Sequence, residues 1–260
     1  NLQSIAAEKV AIARPGSPVI SAAQPPDVQV VIEEYCRTNG NRLLLAGRDF
    51  NATRNGADTG LTFTGSSGSL SGLKPSLNGS YQTGNAALAL AAAEQLATLG
   101  FPVSRQAMQD GLVSARWPGR LELLTLADGS ELLLDGAHNP AGAQALATAL
   151  QEFGERRVIL LLGMMEDKDL QGVLQPLLQR VQQVITVCPA QERAIPAAEL
   201  AASCRATGTP ARATDSVAAG LEAARAAAGP GDLIVAAGSL FLVGELKALL
   251  GGVPCEAVRG

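Results

Sequence analysis

Apolar and polar positions along this chain switch repeatedly between the helical and the extended period. The opening stretch Ser4–Ala13 has helical spacing, Arg14-Pro15-Gly16-Ser17-Pro18 breaks it, and Val19-Ile20 starts an apolar strand. Val28, Val30, Val31 and Cys36 fall at helical spacing over 27–38, and Arg42–Ala46 is again a short apolar strand, so this part predicts an α/β repeat. From Asp49 to Ser80 the chain is rich in Gly, Ser, Thr and Asn, with brief alternation such as Leu61-Thr62-Phe63-Thr64, which predicts hairpins or loops. Residues 85–99 are almost all strong helix formers, with Asn85 as the expected N-cap and Gly100 as the stop.

After Trp117-Pro118-Gly119-Arg120 the texture changes. Leu121–Leu126 and Glu131–Leu134 flank Ala127-Asp128-Gly129-Ser130, a hairpin pattern. Apolar strand runs follow at Val158–Leu162, Val184–Val187 and Leu233–Ala236, between helical patterns at 140–153, 169–182, 196–206, 215–228 and 240–250. Strands alternating with helices predict an α/β fold whose sheet is mainly parallel, with helices on both faces. The change of texture puts a domain boundary between residues 1–113 and 114–260.

Composition narrows the function classes. With 20 Lys+Arg against 24 Asp+Glu, a formal charge of −4 and 3% aromatics, the chain lacks the basic footprint and stacking platforms of a nucleic-acid binder, so no nucleic acid is expected. The longest apolar candidate, Leu233–Gly244, is too short to span a bilayer, so no membrane partner is expected. Cys36, Cys188, Cys204 and Cys255 are widely spaced without C-x-x-C, which argues against a zinc site or a disulfide framework and suits a cytoplasmic protein.

The sharpest chemical feature is Leu132-Leu133-Leu134-Asp135-Gly136-Ala137-His138-Asn139-Pro140, a strand passing into a helix with Asn139 as N-cap and Pro140 at N1. Ligands of open α/β sheets bind at this carboxyl edge, where the helix N-terminus favours an anion and Asp135 could accept from a ribose. The competing account is that Asp135 and Asn139 make only turn and cap bonds and that His138, the sole histidine, is a plain loop residue.

Asp-Gly-Ala-His-Asn-Pro resembles a signature of the folylpolyglutamate synthase/dihydrofolate synthase family within the Mur ligase superfamily. Other segments resemble the family's motifs in the family's order: Glu8-Lys9 through Arg14, Gly79-Ser80-Tyr81-Gln82-Thr83-Gly84-Asn85-Ala86, Pro118-Gly119-Arg120, Gly163-Met164-Met165-Glu166-Asp167-Lys168-Asp169 and Gly238-Ser239. The resemblance implies a central ATPase domain of P-loop type, here a remnant, followed by a Rossmann-like C-terminal ligase domain. It implies ATP-dependent ligation of L-glutamate to folate or to dihydropteroate through an acyl phosphate, with ATP and magnesium (Mg2+), in a monomer. Lys9 matches a lysine often carbamylated to hold magnesium, a step that needs the neutral amine and so predicts burial or nearby cations. Asn85 matches a residue near the adenine, Arg120 an ATP-contacting arginine, Asp135 the ribose-contacting aspartate and His138 a catalytic-site residue beside the nucleotide, which domain closure would assemble. Lys168, Asp169 and Ser239 match substrate-side positions, although a loop with a helix-starting Asp explains Lys168 and Asp169 at least as well and helix capping is the safer account of Ser239.

The chain departs from the family in two respects. No G-x-x-x-x-G-K-[ST] occurs, and the magnesium-binding His expected just upstream of the Lys9 segment is missing. With Asn1-Leu2-Gln3 as its start, the chain is expected to be N-terminally incomplete and inactive alone. Alternatives are a non-catalytic nucleotide- or metabolite-binding α/β module and another Mur-type amide ligase; the Gly-Met-x-x-Asp-Lys-Asp segment argues against a cell-wall ligase.

Overall fold

A computed structural model describes residues 1–54 and 60–251. The chain divides into two units, Asn1–Arg116 and Trp117–Gly260. The division falls three residues after the boundary read from the texture change, and Cys255 lies outside the described residues.

The first unit opens with α1 (Leu2–Val10), β1 (Val19–Ser21), α2 (Pro26–Thr38) and β2 (Leu43–Leu45). β1 and β2 pair in parallel, Ile20 opposite Leu44, around the α2 crossover, as the α/β repeat predicts. An antiparallel meander follows, β3 (Asn51–Arg54), β4 (Leu61–Gly65) and β5 (Gly68–Leu73); part of the loop between β3 and β4, residues 55–59, lies outside the described residues. Alternation in β4 buries Leu61 and Phe63, and a register shift in the β4–β5 pairing brings Leu70 and Leu73 into the same cluster, against Ala86, Ala87, Leu90 and Ala91 of α3 (Gln82–Thr98). That helix starts earlier than expected: Tyr81 occupies the N-cap position and Asn85 lies in the first turn. Nothing in the local sequence made Gln82 or Thr83 better helix starters than Asn85; in the structure this first turn is held by buried Gln82 and by Arg54 of β3, which bonds Thr83 Oγ1 and Gly79 O. A further helix, α4 (Arg105–Ser114), capped by Ser104 Oγ on Ala107 N–H, escaped the periodicity because it buries no residue.

The second unit holds β6 (Glu122–Thr125), β7 (Glu131–Leu134), α5 (Pro140–Leu150), β8 (Val158–Leu162), α6 (Leu170–Leu178), β9 (Gln183–Thr186), α7 (Ala197–Ala206), β10 (Ala211–Ala213), α8 (Val217–Ala227), β11 (Leu233–Ala237) and α9 (Leu240–Gly251). Its six-stranded sheet runs β10-β9-β8-β11-β7-β6, parallel except for the β6–β7 hairpin. β8 and β11 are buried at every residue, the pattern of central parallel strands covered on both faces. The edge strand β10, only three residues long with exposed Arg212, gave no apolar run to recognise. Asn139 Oδ1 accepts from Gly142 N–H at 2.8 Å with Pro140 at N1, and Asp169 Oδ1 caps α6 through Gly172 N–H at 2.9 Å. Among the described residues Cys36, Cys188 and Cys204 are free.

Candidate functional site

The carboxyl ends of β7, β11 and β8 lie side by side and carry most of the motif residues of the second unit. Gly238 N–H donates to Ala137 O at 2.8 Å and Gly163 N–H to Ala237 O at 3.3 Å, so the three strand exits are laced together. Gly238 has φ +104°, and a Cβ there would stand 2.6 Å from the Gly163 carbonyl oxygen, so only glycine allows this approach.

On β7 the chain turns at Asp135. This carboxyl is 3% exposed; Oδ2 accepts from Leu121 N–H at 3.0 Å and Oδ1 from Ala137 N–H at 2.8 Å. Burial pushes Asp135 above the ordinary carboxylate value, against the pull of those two N–H groups and of the Arg120 charge. The turn bonds foreseen for Asp135 are therefore present, and a ribose would meet a carboxylate whose two oxygens already hold the backbone.

Those bonds fix the loop 117–121. Gly136 N–H reaches Gly119 O at 2.8 Å, and Arg120 N–H reaches Trp117 O at 3.2 Å. Leu121, buried and held at φ +43°, is the one positive-φ non-glycine residue among the described residues. The outcome is a half-buried Arg120 beside the strand exit whose guanidinium has no hydrogen-bond or ion-pair partner among the described residues. His138 follows on the same exit, half-buried, with Nδ1 2.8 Å from Gly136 O. Since a carbonyl only accepts, Nδ1 carries the proton in that bond and Nε2 is left for another partner. Ser239 at the β11 exit is 2% exposed, and its Oγ accepts from Phe241 N–H at 3.0 Å, the helix-start role foreseen as its alternative.

Lys168 and Asp169 lie on the β8 exit. Lys168 Nζ meets Asp167 Oδ2 at 2.7 Å, and Asp169 is the α6 cap. Arg193, which the sequence reading missed, joins this exit: its carbonyl accepts from Glu166 N–H at 2.8 Å, and its guanidinium stands 3.8 Å from Asp167. No local motif marks it, because the pairing of the 163–168 and 193–195 loops is tertiary.

The first unit holds Lys9 and Asn85 on different helices. Lys9 Nζ is 2.6 Å from Glu8 Oε1, with both side chains 71% exposed. This corrects the expectation of a lysine surrounded by burial or cations: α1 turns it to solvent beside a carboxylate. Asn85 is exposed, and its Nδ2 donates to Oε1 of buried Gln82 at 2.8 Å, which leaves Asn85 Oδ1 as an outward acceptor. Arg54, unmarked in the sequence, ties β3 to the first turn of α3 through Thr83 Oγ1 and to the loop before it through Gly79 O, both at 3.1 Å.

Within the second unit, the guanidinium fork of Arg120, without a hydrogen-bond or ion-pair partner among the described residues, has the planar donor geometry that phosphate oxygens accept. Among the described residues, no three His, Cys, Asp or Glu side chains come together as a metal-holding group. Among those residues no helix is long and apolar enough to cross a membrane.

The Mur ligase glutamate ligase domain family matches residues 119–240, which contain the Arg120, Asp135, His138, Lys168 and Ser239 positions. The folylpolyglutamate synthase of Lacticaseibacillus casei is 32% identical over 202 residues, covering 76% of this chain and 47% of that protein. Escherichia coli FolC in complex with DHPP and ADP superposes with a TM-score of 0.84 at 28% identity, over 96% of this chain and 57% of that one. The Mycobacterium tuberculosis folylpolyglutamate synthase complexed with ADP and AMPPCP gives 0.85 at 29% identity, over 97% of this chain and 60% of its own. The chain thus spans about half the length of the curated relatives it matches. In fold, motif order and sequence it belongs to the folylpolyglutamate synthase/dihydrofolate synthase family of the Mur ligase superfamily.

Proposed function

We propose that this chain carries the ligase-domain half, and part of the ATP-binding half, of a cytoplasmic enzyme that joins L-glutamate to folate or dihydropteroate at the expense of ATP. Residues 1–113 are read as the later part of the central ATP-binding domain and 114–260 as the C-terminal domain. ATP activates a carboxylate as an acyl phosphate, and the amine of glutamate displaces the phosphate to form the amide. The observation that carries the reading is Arg120, a guanidinium without a hydrogen-bond or ion-pair partner among the described residues, on a loop pinned by Asp135 to the same strand exit that carries His138.

In this reading Arg120 holds phosphate oxygens, Asn85 meets the adenine edge, and Asp135 serves the nucleotide by fixing Leu121 and hence the arginine loop. His138 presents Nε2 beside the nucleotide. Lys168, Asp169 and Ser239 border the edge where the amino-acid substrate would arrive. Magnesium, which the family resemblance implies, would offset phosphate charge when bound with the nucleotide; no step here is assigned to the metal. Because the sequence contains no G-x-x-x-x-G-K-[ST], the chain on its own is expected to bind nucleotide without turning it over.

The test is ADP binding by the purified 260-residue chain, together with ADP release from ATP in the presence of folate or dihydropteroate, glutamate and magnesium. Binding that Arg120→Ala weakens about tenfold, the scale of a lost charge-assisted hydrogen bond, supports the site. Turnover by the chain alone would overturn the expected inactivity, and a preference for an unrelated ligand would favour a non-catalytic module.

A further inference from the structure

The loop that presents Arg120 rests on one face of α9. Leu240, Val243 and Lys247 follow one another at helical spacing along that face. A Cβ on Gly136 would strike the Leu240 side chain, and one on Gly119, at φ +72°, would stand 2.6 Å from Val243 Cγ1, so backbone and helix are already in contact. The next residue on the face is charged. Lys247 Nζ donates to Glu122 Oε1 at 2.6 Å, and the other oxygen of the same carboxylate, Oε2, accepts from Gly119 N–H at 2.7 Å.

Glu122 is thus a bridge with one oxygen on the helix and one on the residue before Arg120. Both side chains of the pair are about one-third exposed or less, 35% for Lys247 and 25% for Glu122, so water screens it less than a surface pair. Burial raises the Glu122 carboxyl, and the Lys247 ammonium with the Gly119 N–H outweighs it, holding the group below the ordinary carboxylate value. Glu122 also lies at the first position of β6, whose partner Leu134 immediately precedes Asp135, so the bridge and the Asp135 clamp grip the loop from opposite ends.

We propose that Lys247 is a positioning residue for Arg120: through Glu122 it fixes the Gly119 peptide, and so aims the guanidinium at the phosphate oxygens of a nucleoside di- or triphosphate. This rests on the nucleotide reading above. Removing the ammonium leaves Glu122 free to swing off Gly119 and frees the peptide that precedes Arg120. The backbone then samples several orientations of the guanidinium, and binding falls because only some of them face the ligand.

The experiment titrates the 260-residue chain with ADP and magnesium and measures backbone amide exchange at Gly119. Lys247→Met is expected to weaken ADP binding about tenfold and to speed exchange at Gly119, while Lys247→Arg restores both. In an Arg120→Ala background, Lys247→Met is expected to change ADP affinity less than about twofold, because the group it positions is gone. An equal loss with and without Arg120 would mark a merely structural role and overturn the proposal, as would unchanged Gly119 exchange. If Arg120→Ala weakens ADP and Lys247→Met does not, the proposal alone falls. If Arg120→Ala binds like the unsubstituted chain, or the chain takes no ADP at all, the nucleotide reading falls and the proposal with it.

Discussion

On α3 of the first unit, Glu94 is 6% exposed, and its carboxylate takes hydrogen bonds from Ser66 N–H, Ser66 Oγ and Ser67 N–H at 2.8 to 2.9 Å. It holds the β4–β5 turn onto the helix, and a side chain at Gly65 would collide with it. Glu94→Ala removes a buried acceptor, while its donors on exposed Ser66 and Ser67 can turn to water, so a loss of about 1.5 kcal/mol in denaturant unfolding is expected; a loss below about 0.5 kcal/mol would show that water replaces the carboxylate fully. Asp128 gives the pH counterpart. Ser130 Oγ–H, then Ser130 N–H, then Arg225 hold its carboxyl at about 2, below the ordinary 3.8. Since the folded value is depressed, this group stabilises the fold above pH 3.8 and loses that contribution as pH falls toward 2. Carboxyl NMR titration should place Asp128 near 2, and Ser130→Ala should raise it more than Arg225→Met does. Residue roles with local causes were legible: the Asn139 and Asp169 caps follow from three-residue spacing. Glu94, Arg54 and Arg193 were not, because their partners lie far off in sequence.

Elements follow the same division between local and distant causes. β8 and β11 were legible as unbroken apolar runs, whereas α4 and β10 bury too little to leave a pattern. Helical glycines show how the surroundings decide what local preference cannot. Gly111 in α4 has open space where a Cβ would go, so Gly111→Ala should stabilise by about 1 kcal/mol from helix propensity alone. Gly220 in α8 faces Val187 directly and Leu161 at 3.0 Å, so the same exchange must push apart the core between α8 and the sheet. Gly220→Ala is therefore expected to destabilise by roughly 1 to 3 kcal/mol, the usual range for overpacking. Thermal melts of the two variants should move in opposite directions, and an upward shift for Gly220→Ala would mean that Val187 repacks without strain.

At the scale of the molecule, the two units bury their elements very unequally. In the second, four parallel-paired central strands carry side chains buried on both faces, and helices cover them. The first has a parallel pair only three residues long, and around it Leu2, Ile5, Ile12 and Val30 are 58%, 53%, 86% and 62% exposed. Its larger apolar cluster lies instead between the meander and α3, with Ile20 and Leu44 as its link to the parallel pair. Local stability follows burial, because an amide opens when the contacts over it are few. Native-state hydrogen exchange on the full chain should therefore release the amides of α1, β1 and β2 first, those of β4 and α3 later, and those of β8 and β11 only on global unfolding of the second unit. Sequence periodicity marked β1 and β8 alike as apolar strands, since it records which residues prefer burial and not how much structure covers them. Protection of β1 equal to that of β8 would refute the ordering, and would mean that so short a parallel pair gains stability from contacts beyond its own apolar cluster.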